Sequence, residues 1–538
     1  MVASSQPLAT AAGLEILSHG GNAADAAVAT AAALNVTEPT STGLGGDMFA
    51  LFYVAATGQV TALNGSGRAP ASLTLDLLQK NGLVELPPYH PYTITIPGAC
   101  AGWCDLIERY GTARPDAHGD VLSLSVVLAP AIRLAEEGFP VAPVTSHFWR
   151  RAAGRQLKES LNGGEMTIDG RGPNPGEIFR NPGLARTLKT IAEGGKKAYY
   201  TGEIAEAIAS TVQQAGGCLT VDDLAAHTST WDEPISTTYG GLRLWECPPN
   251  GQGIAALLAL NILEGFDLPS EPLATDRLHL EIEALRLAFA DSRWYVADPR
   301  HRETSEVFGT SEVYPALISK EYASGRRKLI DAHRATLDQQ RGTPVAGSDT
   351  VYFCVVDQWG NACSFINSNY MGFGTGIVPH GWGFTLQNRG HNFSLEPGHP
   401  NELAPGKRPY HTIIPAMITR VSDGTLFGPM GVMGGFMQPQ GHVQVFLALA
   451  QGLDPQSALE LPRFCISDGT AGGDVALEDG IPAETIADLT RRGHPVREVT
   501  GWERALFGRG QVIVRDPVTG VLTGGSDPRA DGCAMTLS

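Results

Sequence analysis

The residue types that could do chemistry begin with a threonine at a boundary. Polar residues run from Asp331 to Ser348 with no apolar stretch long enough to form core. Asp349-Thr350 then opens a strand pattern in which Val351, Phe353 and Val355 alternate with Tyr352, Cys354 and Val356. A threonine hydroxyl is a poor nucleophile at neutral pH and needs an adjacent base. No His or Glu neighbours Thr350 in sequence, so a histidine-assisted arrangement has no local support. Cutting the Asp349–Thr350 bond would supply another base, a free α-amine on Thr350 itself, with a pKa near ~7.7–8. Acyl transfer also needs N–H donors for the developing oxyanion. Gly431-Val432-Met433-Gly434-Gly435-Phe436 offers consecutive glycine N–H groups unobstructed by Cβ. Taken singly, each feature has a plainer reading: a loop-to-strand threonine, and a tight turn between strand and helix.

The elements that must position these residues follow from periodicity. Before residue 340 the chain reads as helix-rich. Gly20-Gly21-Asn22 makes a turn with Asn22 as N-cap of an alanine-rich helix, Ala23 to Leu34. Gly43-Leu44-Gly45-Gly46-Asp47 leads into strands 48–54 and 59–63, and the second ends in the glycine-rich turn that presents Arg68. A helix spans 122–138 with a kink expected at Pro130, and 141–230 reads as mostly helical. Strand 242–247 precedes helix 254–263. The clearest helix is 276–295, with Leu278, Ile282, Leu285 and Phe289 as its stripe and Asp276 as its cap. After Thr350 strands dominate, at 351–356, 362–367, 412–419, 424–428 and 511–515, interrupted by helices at 441–453 and 486–492. Neither part closes a core alone. We therefore expect an α+β fold in one intertwined domain, with a sheet built from both parts and covered by helices on its outer faces.

With 538 residues, 43% hydrophobic and 18% charged, the chain can bury a large core. A net charge of −17 argues against nucleic acid or an anionic membrane as general partners, but leaves room for a small anionic substrate held by a few arginines. The apolar run from Ala23 to Leu34 is too short and too interrupted for a membrane span. The eight cysteines are scattered without a CxxC pair and no HExxH occurs, so free thiols and no metal or cofactor are expected. The N-terminus lacks a basic region followed by a long apolar one, which makes a cytoplasmic location the default.

The motifs together resemble the γ-glutamyltranspeptidase family. The resemblance rests on Asp349-Thr350, Val355-Val356-Asp357, Gly360-Asn361, Phe373-Gly374-Thr375-Gly376, Ala404-Pro405-Gly406-Lys407-Arg408-Pro409 and Met433-Gly434-Gly435. Gly20-Gly21-Asn22-Ala23-Ala24-Asp25, Pro248-Pro249 and Gly525-Ser526-Asp527-Pro528-Arg529 extend it over nearly the whole chain, in family order. It implies a four-layer αββα sandwich of the N-terminal-nucleophile hydrolases. It also implies self-cleavage between Asp349 and Thr350 into a large subunit, 1–349, and a small subunit, 350–538, that stay together. By the same resemblance Thr350 is the nucleophile, Ser368 the second hydroxyl that orients it, and Gly434 and Gly435 the oxyanion glycines.

Substrate-pocket positions depart from the family pattern. The family arginine that holds an α-carboxylate aligns with Ser66, and the nearest arginine is Arg68. The aspartate that grips an α-amino group aligns with Asn392, and a glutamine three residues earlier with Arg389. Paired serines align with His411 and Thr412, and an asparagine with Tyr370. His391 and His411 are either polar pocket residues or satisfied loop histidines. An arginine fork suits a carboxylate, so these details are similar to the family's oxamate amidohydrolase branch. The resulting expectation is an amidohydrolase acting on a small carboxylate-bearing amide such as oxamate. The alternatives are a γ-glutamyl hydrolase or transferase acting on glutathione-like donors, and an unprocessed scaffold.

Overall fold

The computed structural model describes residues 1–112, 121–301, 310–337, 349–470 and 472–537. Most of the polar run ahead of Thr350, from 338 to 348, lies outside these residues.

Two sheets face each other. The seven-stranded sheet runs Cys533–Met535, Val2–Ser4, Asp349–Val356, Ala362–Tyr370, Asp47–Val54, Gln59–Gly65, Thr230–Asp232. The six-stranded sheet runs Leu522–Ser526, Arg509–Arg515, Leu426–Met433, Ala416–Arg420, Leu242–Glu246, Ile235–Tyr239. Each sheet takes strands from both sides of Thr350.

The alternation along 351–356 explains the layering. Val351, Phe353 and Val355 pack against helix Ala23–Thr37 on the outer face, in one apolar cluster that continues into helices Leu124–Glu137 and Pro182–Thr201. Tyr352, Cys354 and Val356 point the other way, against Ile413, Met417 and Ile513 of the opposed sheet region. The six-stranded sheet is covered on its own outer face by Ile254–Leu263, Thr275–Tyr295 and Met437–Ala450. The order is helix, sheet, sheet, helix. Period-two alternation reads as a half-buried strand, but both faces of this one are buried, because a second sheet takes the place of solvent. Each fully buried Val or Phe contributes ~1.5–3 kcal/mol, so this strand is held firmly from both sides.

Local signals account for several element ends. Asn22 caps helix Ala23–Thr37 with a capping box: its Oδ1 accepts from Ala24 N at 2.9 Å, and Asp25 Oδ2 accepts from Asn22 N at 3.1 Å. The carboxylate of Asp357, in the turn after the Thr350 strand, accepts from Ala23 N at 3.0 Å. That bond ties this helix start to the strand. Helix Leu124–Glu137 runs through Pro130 as one element, and Gly138 ends it with φ +92°. Asp276 does not cap helix Thr275–Tyr295. The cap position is Ala274, and the Asp276 carboxylate instead takes a hydrogen bond from Arg492.

Candidate active site

Three neighbouring strands place the central residues in a row. Ser368 stands directly opposite Asp47 in the register of Ala362–Tyr370 with Asp47–Val54. On its other side the same strand pairs with Asp349–Val356, and that register shifts between Asn367 and Tyr370. A bulge of this kind re-aims the side chains beside it. Tyr370 takes a positive φ of +79°, a conformation rare for a bulky residue. Here Thr350 Oγ1 and Ser368 Oγ come within 3.0 Å, and neither residue is exposed.

Arg389, also without exposed surface, sits beside this pair. Its Nη2 donates to Ser368 Oγ at 3.3 Å and its Nη1 to Thr412 Oγ1 at 2.7 Å. Its guanidinium lies 4.5 Å from the centre of the Tyr370 ring, and among the described residues its buried Nε has no hydrogen-bond partner. Burial pulls its pKa down to about 10, opposed by the charge of Asp47. The Tyr370 hydroxyl donates to Asn392 Oδ1 at 2.6 Å, and Asn392 Nδ2 is buried without a partner among the described residues. Two of the expected substrate-binding residues therefore each hold a spare buried donor.

Asp47 was not among the expected site residues. Its Oδ2 lies 3.9 Å from Arg389 Nε and accepts from His411 Nε2 at 3.0 Å, and its Oδ1 accepts from Gly67 N at 2.9 Å. Burial raises its pKa to about 6, and Arg389 with the Gly67 and Gly98 N–H groups limits the rise. Burial, with Arg389 and Arg408 nearby, holds His411 well below its usual range. Its Nδ1 accepts from Ile413 N at 3.3 Å, as a neutral ring must. His411 is thus a satisfied, fully buried support for Asp47. His391 reaches the Leu86 carbonyl at 2.7 Å and lines a cavity. A signal for Asp47 was present in the sequence: an acid straight after Gly43-Leu44-Gly45-Gly46, at the mouth of a core strand.

Arg68 is placed elsewhere. Its Nη1 donates to Thr228 O at 3.1 Å, and it lies among Asp298, Arg300 and Asp232. Strand Gln59–Gly65 pairs with Thr230–Asp232 and brings the Thr228 carbonyl to the turn that carries Arg68. Among the described residues it shares no contact with Thr350, Ser368 or Arg389.

Gly434 and Gly435 form the turn between strand Leu426–Met433 and helix Met437–Ala450, with φ +134° and +61°. Both values fall where glycine is favoured. The turn is pinned by Gln252, whose Nε2 donates to Gly435 O at 2.8 Å and Thr412 O at 2.6 Å. One side chain thus couples the glycine turn to Thr412, a hydrogen-bond partner of Arg389. A cavity of about 710 Å³ is lined by Tyr370, Asn392, Tyr410 and Phe436 among others, and one of about 630 Å³ by Tyr370, Gly434 and Phe436 among others. Thr350 lines neither, so in the uncut chain its hydroxyl is closed off from both. Among the described residues no cluster of three or more His, Cys, Asp or Glu could hold a metal ion, and no helix is long and apolar enough to cross a membrane.

The sequence profile described as Gamma-glutamyltranspeptidase matches residues 9–537. The chain is 36% identical over 542 residues to the glutathione hydrolase-like YwrD proenzyme of Bacillus subtilis, covering 100% of this chain and 98% of that one. It is 34% identical to the oxamate amidohydrolase proenzyme of Klebsiella pneumoniae, over 98% and 96% of the two chains. The crystal structure of cephalosporin acylase from Bacillus halodurans superposes with a TM-score of 0.90 at 46% identity, over 100% of this chain and 95% of that one. The four layers are those of the N-terminal-nucleophile hydrolases. The chain belongs to the γ-glutamyltranspeptidase family of amidohydrolases.

Proposed function

We propose that the protein is a self-processing amidohydrolase with Thr350 as nucleophile, and that it cleaves a small amide carrying a carboxylate beside the scissile carbonyl, oxamate being the simplest. One relation carries the substrate choice: a single hydroxyl joins Arg389 to Thr350. Arg389 Nη2 lies 3.3 Å from Ser368 Oγ, itself 3.0 Å from Thr350 Oγ1. A carboxylate gripped by that guanidinium sits next to the carbon under attack, as in oxamate. The α-carboxylate of a γ-glutamyl group is several bonds more distant. Asp47, the carboxylate at this spot, is already engaged by Arg389, His411 and the Gly67 N–H, which leaves no free anion here among the described residues for an α-ammonium group.

In processing, the Thr350 hydroxyl attacks the Asp349 carbonyl carbon. The C–O bond forms, the C–N bond breaks, and the hydroxyl proton ends on the freed amine. Water then opens the ester, giving subunits 1–349 and 350–538 that remain one intertwined body. In turnover, the amine takes the hydroxyl proton as Oγ1 attacks the amide carbon, and passes it to the departing nitrogen. Gly434 and Gly435 N–H groups hold the oxyanion. Water, deprotonated by the same amine, releases the acid and restores the hydroxyl. Arg389, Thr412, Asn392 and Tyr370 bind and orient the acid end, with His411 behind them. A cytoplasmic location goes with this reading and is supported by eight unpaired thiols.

The names of the Bacillus subtilis relatives favour a second reading, γ-glutamyl hydrolysis or transfer on glutathione-like donors. Ammonia release from oxamate, set against γ-glutamyl anilide hydrolysis by the same processed enzyme, separates the two. Strong γ-glutamyl turnover with no oxamate activity overturns the substrate assignment. Intact mass tests the nucleophile: the wild type should give pieces of about 37 and 20 kDa, prorating 56.9 kDa over residues 1–349 and 350–538, while Thr350→Ala stays whole. An uncut, inactive wild type would sink the proposal.

A further inference from the structure

The cavity of about 710 Å³ outside Tyr370 is far larger than a molecule of oxamate's size needs, and falls in the range that holds drug-sized ligands, roughly 300–1,000 Å³. Its walls have a definite chemistry. Trp294, Tyr370, Tyr410 and Phe436 present aromatic surface, and Arg293 lies among them. The Arg293 guanidinium is 4.4 Å from the Phe436 ring centre and 5.5 Å from that of Tyr410. Arg293 is half-buried in the last turn of helix Thr275–Tyr295, where the helix carbonyls favour a cation. Among the described residues no carboxylate comes within ion-pairing distance of it. The cavity's own acids, Glu85 and Glu396, are exposed at its rim.

The placement relative to Thr350 gives the cavity a direction. Phe436 follows Gly435 in the chain, so the aromatic wall continues from the glycine turn. Tyr370 holds the Arg389 guanidinium 4.5 Å from its ring centre and lines the cavity together with Arg293, so the cavity wall backs onto the deep arginine beside Ser368. An amide whose acid end reaches Arg389 would send its amine past the glycine turn into this space.

We infer that the cavity is a leaving-group subsite for an aromatic or heteroaromatic amine bearing its own carboxylate, with the ring between the aromatic walls and the carboxylate on Arg293. The inference rests on amide cleavage at Thr350, but not on the identity of the acyl group. Ring stacking would supply most of the contact area, and the arginine fork the selectivity.

Two pairs of substrates test it on processed enzyme: N-phenyloxamate with its 4-carboxy derivative, and γ-glutamyl anilide with its 4-carboxy derivative. In whichever acyl series is cleaved, the carboxylated member should be favoured roughly tenfold in kcat/KM. Arg293→Ala should bring that ratio to about one, and Arg293→Lys should restore part of it. Because each ratio is taken within one enzyme, a general loss of activity does not affect it. A wild-type ratio at or below one overturns the inference, as does a preference that survives in Arg293→Ala. Cleavage of the γ-glutamyl pair alone defeats the oxamate reading while still testing the subsite. If neither series is cleaved, calorimetric titration of 4-aminobenzoate decides: weaker binding to Arg293→Ala supports the subsite, and no binding to wild type overturns it.

Discussion

Arg389 Nε and Asp47 Oδ2 lie 3.9 Å apart, neither side chain is exposed, and no hydrogen bond closes the gap. The guanidinium is thus charge-compensated on one edge, while its other two nitrogens donate only to hydroxyls. Hydroxyls are weak partners for a buried cation, and an incoming carboxylate would be a stronger one. Binding would exchange neutral acceptors for a charged one without moving the arginine.

Asp47 should appear in the pH profile. Its carboxyl, raised to about 6, takes up a proton below that pH, and Arg389 then loses its counter-charge. In the proposed mechanism the Thr350 amine has to be unprotonated, so activity should fall with unit slope below its pKa, near ~7.7–8. Below about 6 Arg389, freed of that counter-charge, should hold a carboxylate more tightly, so the slope of log kcat/KM should flatten below one, whereas Asp47→Asn should keep a slope of one. For stability the sign is the reverse of an ordinary salt-bridged aspartate. The folded value lies above 3.8, so the contribution of this group falls as pH rises from 3.8 to about 6.

Arg389→Ala should cut kcat/KM for oxamate by roughly 10- to 100-fold relative to an uncharged small amide, the range for a hydrogen bond to a charged group. Arg389→Lys should recover little, because one ammonium cannot reproduce the two-pronged geometry. An equal loss on neutral amides would assign Arg389 to the scaffold.

Ser368→Ala removes the hydroxyl that links Thr350 to Arg389 and accepts from Tyr370 N at 2.9 Å. Conversion to subunits, followed by gel over time, should slow roughly tenfold or more, and Ser368→Thr should process close to normally. Unchanged processing in Ser368→Ala would remove it from the machinery.

Gly434→Ala would force a side chain onto a φ of +134° and bring its Cβ to 3.1 Å from Gly508 Cα and 3.2 Å from Met437 Cβ. If this turn supplies the oxyanion donors, kcat should fall roughly 10²–10³-fold with KM little changed. A lower melting temperature with kcat intact would make the turn purely structural.

Much of the frame was legible in the sequence because it is set locally. Asn22 caps by bonding within its own turn, and helix Ile254–Leu263 is bounded by a glycine turn and an apolar run. Strand 351–356 declares itself by alternation, although alternation cannot tell solvent from a second sheet. Residue type and family resemblance single out Thr350, Ser368, Gly434, Gly435, Arg389, Tyr370, Asn392 and Thr412, and the structure brings most of them into one connected set. What escaped was long-range. Asp47 meets His411 across 364 positions, and no local pattern carries that pairing. Arg68 faced the wrong way because its partner, the Thr228 carbonyl, arrives through pairing of distant strands.

The position of strand Asp349–Val356 inside the seven-stranded sheet bears on how the two polypeptides would age once the bond before Thr350 is cut. Across that sheet the pieces interleave: Val2–Ser4 from the first, Asp349–Val356 and Ala362–Tyr370 almost wholly from the second, then Asp47–Val54 from the first again. Neither piece can leave without tearing ladder bonds on both of its flanks, so partners should be kept for the life of the molecule. Isotopically heavy and light processed enzyme, mixed and incubated, should yield no hybrids until denaturant melts the sheet. Each large subunit would work only with the small subunit it was synthesised with.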